Sequence, residues 1–276
     1  MTYVQLFLRY ELELEKAHEE PESLTFTFRN LKKLDFTEFT LLLRQEVSQE
    51  DRQLIERIAD RLLAHEPAQY IIGHEVFHDL RFKVDERVLI PRPETAELVD
   101  LILAENEAEQ VDLLDLGTGS GAIAIALAHS RPDWQVQASD ISQKALSLAR
   151  ENAQANQVVV DFQQSDVFSQ LSGSFDIIAS NPPYISEADK HEVGLNVLNS
   201  EPHLALFADE EGLAIYRKIA DQTGKYLKPS GKIYLEIGYK QGQIVSQIFQ
   251  KVFPDKRVRV LTDQFGQDRM VVVDNG

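Results

Sequence analysis

Hydrophobic residues near the start of the chain recur at the spacing of helices that bury one side. The apolar positions after Ser48 lie three or four apart, at Leu54, Ile55, Ile58, Ala59, Leu62 and Leu63. This period predicts a helix with one buried face, and Ser48 followed by Asp51 is a variant of the capping box that begins helices. Shorter helices are predicted over residues 2–18 and 37–46. We therefore expect residues 1–74 to form a small N-terminal helical-bundle domain.

The hydrophobic period changes after residue 74. Residues 75–90 partly alternate between apolar and polar side chains, as in a β-hairpin, and we interpret them as a linker. Beyond them, short apolar runs alternate with helical patterns. The predicted strands are 111–116, 134–139, 158–162, 175–180, 232–237, 258–261 and 270–273. The predicted helices are 122–128, 142–155, 213–227 and 243–253. This alternation predicts, for residues 91–276, a doubly wound α/β fold with a largely parallel, seven-stranded, Rossmann-like sheet.

A glycine-rich loop leaves the first predicted strand of this sheet and enters a helix. Its residues are Gly117, Thr118, Gly119, Ser120 and Gly121. Glycines there let the backbone turn tightly and approach a ligand closely. Asp140 ends the next strand, where it can accept hydrogen bonds from both hydroxyls of a ribose. Asp166 follows the third strand, beside the expected adenine edge, and Phe168 either covers the adenine face or belongs to the core.

These features favour S-adenosyl-L-methionine over a nucleotide as the cofactor. The loop reads G-x-G-x-G, which differs from the G-x-G-x-x-G of dinucleotide sites, and it lacks the lysine of a P-loop. S-adenosylmethionine carries an adenosine but no phosphate, so it needs no phosphate clamp. We expect the glycine loop, Asp140 and Asp166 to hold it.

A second motif follows the fourth predicted strand of the sheet and reads Asn181, Pro182, Pro183, Tyr184. The side-chain oxygen of Asn181 and the main-chain oxygen of Pro182 form an acceptor pair suited to a planar NH2 group. Each proline disfavours the helical region for the residue before it, so the segment is stiff and extended. Tyr184 offers a flat face to a substrate. The pair would aim a weakly nucleophilic nitrogen at a methyl donor, with preorganised geometry as the main catalytic device.

Charge and composition limit which binding partners and which kinds of functional site the protein can have. The 276 residues include 45 acidic and 28 basic side chains, for a formal net charge of −17 at pH 7, which should repel a nucleic acid backbone. No cysteine occurs, which excludes disulfides and thiolate metal sites. The histidines are too scattered to predict a metal site. Without a signal-peptide pattern or a spanning apolar run, we expect a cytoplasmic protein that does not enter a membrane.

Several motifs together resemble the HemK/PrmC-type glutamine methyltransferases. The shared segments are residues 69–73, Phe77, 88–95, 115–121, 140–142, 180–185, 201–202, 205–206, 235–238 and 268–269. The Asn-Pro-Pro-Tyr tetrad alone is also found in DNA adenine methyltransferases. The run Ile90-Pro91-Arg92-Pro93-Glu94-Thr95 is far more selective.

The resemblance implies methylation of the glutamine side-chain amide in the Gly-Gly-Gln motif of class 1 peptide chain release factors. By similarity, residues 117–121, Asp140, Phe168 and Asn181 would contact S-adenosylmethionine, and residues 181–184 would bind the glutamine. We also expect Arg92 and Glu94 to contact the protein substrate, although Arg92 is equally compatible with a structural ion pair. Glu236, at a strand end, is interpreted as structural.

Other functions remain compatible with the sequence. One is methylation of a ribosomal protein at the same kind of amide. Another is methylation of a DNA amino group, which the net charge of −17 disfavours. A third is a non-catalytic S-adenosylmethionine-binding module, which would have little use for the acceptor pair at Asn181. The N-terminal domain is either a platform that recognises the partner or a stabilising cap, and we expect a monomer.

Overall fold

A computed structural model describes all 276 residues, which form two compact units. The smaller unit comprises residues 1–74 and 193–201, and the larger comprises residues 75–192 and 202–276. No helix is both long enough and apolar enough to cross a bilayer.

The smaller unit is helical. Its helices are α1 (Tyr3–Lys16), α2 (Glu22–Lys32), α3 (Phe36–Leu42), α4 (Gln49–Leu63) and α5 (Ala68–Ile72). Phe7 and Phe28 meet edge to face in its core, with ring centroids 5.4 Å apart. The hydroxyl of Ser48 caps α4 by accepting from the Asp51 amide at 3.1 Å. The Asp51 carboxylate accepts from Lys32 Nζ at 2.8 Å and from the Tyr3 hydroxyl, so it links α1, α2 and α4.

The larger unit is an α/β sandwich. Its strands are β1 (His74–Phe77), β2 (Leu80–Lys83), β3 (Asp112–Leu116), β4 (Gln135–Asp140), β5 (Asp161–Gln164), β6 (Phe175–Ser180), β7 (Leu227–Glu236), β8 (Arg257–Thr262) and β9 (Asp268–Asp274). The remaining helices are α6 (Pro93–Glu105), α7 (Ala122–Ser130), α8 (Gln143–Ala155), α9 (Leu195–Ser200), α10 (His203–Leu206), α11 (Asp209–Gly212), α12 (Ala214–Thr223) and α13 (Gly242–Val252), with a 3-10 turn at Glu187–Glu192. Of these, α9 belongs to the smaller unit.

The main sheet has seven strands in the order β5-β4-β3-β6-β7-β9-β8. The pairs from β5 to β7 are parallel, and β9 runs antiparallel to both of its neighbours. The prediction of a largely parallel, doubly wound, seven-stranded sheet is thus confirmed. After β3 the chain builds outward to β5 and then returns to place β6 on the other side of β3. This reversal opens a crevice at the carboxyl ends of β3 and β6, where ligands bind in such folds.

The structure differs from the predicted pattern in several places, and helices α5 and α6 were among the elements not predicted. Helix α2 was missed, although Leu24, Thr27 and Phe28 have the spacing of a buried helix face. Strand β5 begins at residue 161 instead of 158, and α12 ends at residue 223, before β7 begins at 227. The hairpin β1–β2 packs Phe77 and Phe82 into the core of the larger unit, so it is part of that unit and more than a linker.

Candidate active site

The glycine loop between β3 and α7 is held against the end of β4. The amides of Gly117 and Thr118 both donate to the Ser139 carbonyl, at 2.8 and 2.9 Å. Gly117 and Gly119 have positive φ values of 71° and 55°, and a Cβ at either position would meet nothing within 4 Å. These two residues therefore present bare backbone to open space, in a conformation that favours glycine.

Gly121 is a glycine for a different reason. Its φ is 87°, and a Cβ there would lie 2.7 Å from Cδ1 of Ile125 in the next turn of α7. The residue therefore permits close packing where the helix begins, and it does not line the cavity described below.

Asp140 is fixed by two backbone amides. Gly119 N donates to its Oδ2 at 2.9 Å, and Ser142 N donates to its Oδ1 at 2.8 Å. Burial raises the pKa of the Asp140 carboxyl. Because each oxygen has a second lone pair, the carboxylate can still accept hydrogen bonds from a ligand.

A cavity of about 310 Å³ lies at the carboxyl ends of β3, β4 and β6. The predicted site residues that line it are Arg92, Gly117, Thr118, Gly119, Ser120, Asp140, Asp166, Asn181, Pro182 and Pro183. The exposed backbone at Gly117 and Gly119 leaves room for close approach, and Asp140 supplies acceptors for a ribose. These residues therefore fit S-adenosylmethionine, whose adenosine needs a diol acceptor and no phosphate clamp.

Phe168 does not line the cavity, so the structure supports its alternative place in the core over the predicted contact with the adenine. Phe168 is fully buried and stacks on Tyr226 in the core, with centroids 4.6 Å apart and an interplanar angle of 11°. Val167 lines the cavity at this place instead, with a φ of 52°. A left-handed conformation is rare for a β-branched residue, and no pattern in the sequence predicts it here. With this backbone turn, Val167 lines the cavity and Phe168 lies in the core.

Asn181 is oriented through its amide nitrogen. Its Nδ2 donates to Thr95 Oγ1 at 3.1 Å, and the Thr95 hydroxyl donates to Glu236 Oε2 at 2.6 Å. Thr95 lies on α6 and Glu236 at the end of β7. With its nitrogen committed to this chain of hydrogen bonds, Asn181 has its amide oxygen available as an acceptor.

The rest of the tetrad is held by neighbouring loops. Ser180 Oγ donates to the Leu116 carbonyl at 2.7 Å, which ties the ends of β6 and β3 together. Gln241 Nε2 donates to the Tyr184 carbonyl at 2.9 Å. Tyr184 itself does not line the cavity, and its partly buried ring packs against the hydrophobic core that includes Phe168, Tyr216 and Phe249. Burial raises the pKa of its phenol to about 12, which keeps it neutral.

Several residues near the site were not assigned from the sequence. Thr95 stands within the selective run of residues 90–95 and Gln241 follows β7, but their contacts join segments far apart in the chain. Val167 and Leu204 also line the cavity. Glu94, a predicted substrate contact, is outside the lining.

The fully buried Asp115 lies next to the glycine loop and makes the stability of the protein depend on pH. The Thr118 hydroxyl donates to its carboxylate at 2.6 Å, and burial raises its pKa from 3.8 to about 7. Below the unfolded pKa both states hold the proton and the stabilisation is complete. It is lost as the pH rises through the folded pKa.

We therefore expect the stability advantage of the native protein over Asp115→Asn to fall by about 2 kcal/mol between pH 5.5 and 7.5. The free energy of unfolding from urea titrations at both pH values measures this difference. A difference that is constant across the range would contradict the buried, proton-binding Asp115.

Family models match both parts of the chain. The model described as "PrmC N-terminal domain" matches residues 5–73, and the one described as "Methyltransferase small domain" matches residues 95–266. The "Release factor glutamine methyltransferase" of Streptococcus pneumoniae is 61% identical over 100% of this chain and 99% of its own. This chain belongs to the release factor glutamine methyltransferase family. The family's enzyme of Lactococcus lactis is 54% identical, over 92% of this chain and 94% of its own.

Solved structures agree with the fold. A methyltransferase from Pyrococcus furiosus is 18% identical and has a TM-score of 0.54, covering 82% of this chain and 99% of its own. As a member of the release factor glutamine methyltransferase family, the chain is an S-adenosylmethionine-dependent methyltransferase. The cofactor predicted from the glycine loop and Asp140 is thereby confirmed.

Proposed function

We propose that this protein transfers the methyl group of S-adenosylmethionine to the side-chain amide nitrogen of the glutamine in the Gly-Gly-Gln motif of class 1 peptide chain release factors. The observation that carries the proposal is the orientation of Asn181. Its nitrogen donates to Thr95, so its oxygen can receive a substrate N–H in the same cavity as the glycine loop and Asp140.

The catalytic residues bind and aim the substrate amide. Asn181 Oδ1 and the Pro182 carbonyl each accept one N–H of the glutamine side chain. Held this way, the nitrogen lone pair becomes less delocalised and points in one direction, and such orientation can supply about 7–11 kcal/mol at its best. Bound S-adenosylmethionine supplies an electrophilic methyl group. The methylated nitrogen releases its proton to water, so no side chain needs to act as a base.

Residues at the cavity edge would bind the rest of the substrate. We propose that Arg92 and Pro183, which line the cavity, contact the Gly-Gly-Gln segment, and that Gly117, Thr118, Gly119, Ser120, Asp140 and Asp166 contact the cofactor. Tyr184 and Glu94 are outside the lining but next to the lining residues Pro183 and Thr95, and we propose that they contact the part of the substrate that extends beyond the cavity. The Asp166 side chain also pairs with Lys218 at 3.4 Å, so it is partly engaged already.

The smaller helical unit is proposed as the surface that recognises the release factor. Helix α1 exposes Val4, Leu8 and Leu12 at a spacing of four residues, which forms an apolar stripe available to a protein partner. We further propose that the enzyme acts as a cytoplasmic monomer without binding nucleic acid directly, which agrees with its net charge of −17.

Methyl transfer to separate substrates tests the proposal. The protein is incubated with methyl-labelled S-adenosylmethionine and a class 1 release factor, ribosomal proteins or DNA, and modified positions are located by mass spectrometry. We expect one added methyl on the Gly-Gly-Gln glutamine, none on a factor carrying Gly-Gly-Glu, and slower modification of an isolated Gly-Gly-Gln peptide. Label found only in ribosomal protein would establish the alternative protein substrate. Label found only in DNA, or in no substrate, would overturn the function.

A further inference from the structure

The buried Glu236 has no ion pair and yet lies next to the acceptor motif. It is 2% exposed, at the end of β7, and its side chain accepts from Thr95 at 2.6 Å. Burying a carboxylate without a cationic partner is costly. A purely structural position would be served as well by a neutral side chain, so the acid calls for another explanation.

The polarity of the hydrogen-bond chain supplies that explanation. An ionised carboxylate only accepts, so it obliges the Thr95 hydroxyl to give its single proton to Glu236. The Thr95 oxygen must then accept, and the partner at 3.1 Å is the Asn181 amide nitrogen. The Asn181 oxygen is thereby turned to the opposite side. A neutral acid or an amide at position 236 would itself offer a donor, and the flipped Asn181 would then also be satisfied.

We propose that Glu236 and Thr95 are positioning residues that select the productive rotation of the Asn181 amide, and that methyl transfer therefore requires ionised Glu236. The proposal rests on the proposed function of Asn181 as the acceptor of the substrate amide. Thr95 acts through Asn181, and Glu236 acts through Thr95.

The charges around Glu236 agree with a group that titrates in the working range. Burial raises its pKa to about 7, and the hydrogen bond from Thr95, the charge of Arg269 and the interaction with the Asn181 side-chain amide oppose that rise. Glu94 on α6 raises the pKa further. Tyr184 and Tyr216 are the other titratable neighbours; burial raises the pKa of both phenols, and both stay neutral. Arg269 donates to Asp263 at 3.2 Å and to the Ile237 carbonyl at 3.4 Å, and it acts on Glu236 through its charge.

The kinetic test compares the pH dependence of kcat in variants of the two residues. In the native enzyme kcat should rise with pH through a midpoint near 7. Glu236→Gln should lower kcat about 10-fold to 100-fold and abolish that midpoint, because a lost hydrogen bond to a charged group is worth about 1.5–3 kcal/mol. Thr95→Val should lower kcat similarly, and Thr95→Ser, which keeps the hydroxyl, should recover most of the loss. The midpoint should persist in Asp115→Asn, which removes the other buried acid with a pKa of about 7.

An NMR measurement separates this proposal from the proposed function. The side-chain NH2 signals of Asn181, identified by their loss in Asn181→Ala, should shift with the same midpoint near 7 and should change in Thr95→Val. Native protein that fails to methylate a release factor but shows this titration would refute only the function. Unchanged kcat in Thr95→Val, or a midpoint retained in Glu236→Gln, would overturn the positioning role even if methylation of the release factor is observed.

Discussion

Replacing Asn181 with alanine is expected to lower kcat for methyl transfer by about 100-fold to 1,000-fold, the size of effect seen when one preorganised polar contact to a reacting group is removed. Alanine removes the amide oxygen that accepts from the substrate, and it leaves Thr95 without its 3.1 Å donor. The affinity for S-adenosylmethionine should change much less, because Asp140 and the glycine loop keep their own backbone contacts.

Single-turnover rates and calorimetric titration of S-adenosylmethionine measure the two effects separately. Asn275→Ala serves as the matched control, because Asn275 is exposed near the C-terminus and outside the cavity. Asn181→Asp is a sharper probe, because the carboxylate keeps an acceptor oxygen and adds a second, cannot donate to Thr95 when ionised, and places a second acid beside Glu236. Native turnover in Asn181→Ala would remove the mechanism proposed for the tetrad.

The parts of the site that were predictable are those carried by contiguous residues. Residues 117–121 combine glycines with an apolar strand before them, and residues 181–184 are stiff because of their own prolines. The conformation of each motif can therefore be predicted from its own residues. The sheet could be predicted for the same reason: its strands are short apolar runs separated by helical patterns. Antiparallel β9 left no comparable sign, because strand direction depends on the connection and not on the residues of the strand.

The parts that escaped prediction depend on contacts between distant segments. Asn181 takes its orientation from Thr95 and Glu236, which lie on α6 and β7, and neither partner is visible from the tetrad itself. The position of Val167 in the cavity wall, with Phe168 in the core, has a different origin. Val167 has a φ of 52° in the turn after β5, and such a backbone conformation of a valine cannot be foreseen from the sequence.

Gly212 lies directly against the carbonyl of Tyr184, the last residue of the tetrad. Its replacement should therefore reduce both the stability of the protein and its rate of turnover. A Cβ at Gly212 would lie 2.1 Å from the Tyr184 carbonyl oxygen and 2.8 Å from Gln241 Nε2, the donor to that oxygen. Its φ of 81° is also in the left-handed region. Conformational strain of about 1–2 kcal/mol and overpacking of about 1–3 kcal/mol add to an expected loss of about 2–5 kcal/mol for Gly212→Ala.

The activity should fall as well, because the prolines transmit a shift of Tyr184 to the acceptor pair. A misplacement of about 1 Å can cost 100-fold in rate, so we expect kcat to drop by at least about 10-fold at a temperature where the variant is still folded. Gly173→Ala isolates the strain, since Gly173 has a φ of 96° and a Cβ there would meet nothing within 4 Å. It should lose about 1–2 kcal/mol and keep native kcat. Equal losses of stability and equal kcat in the two variants would show that the contact with Tyr184 is not what makes Gly212 necessary. A loss of kcat in Gly212→Ala that is absent from Gly173→Ala would show that the position of Tyr184 contributes to the catalytic geometry.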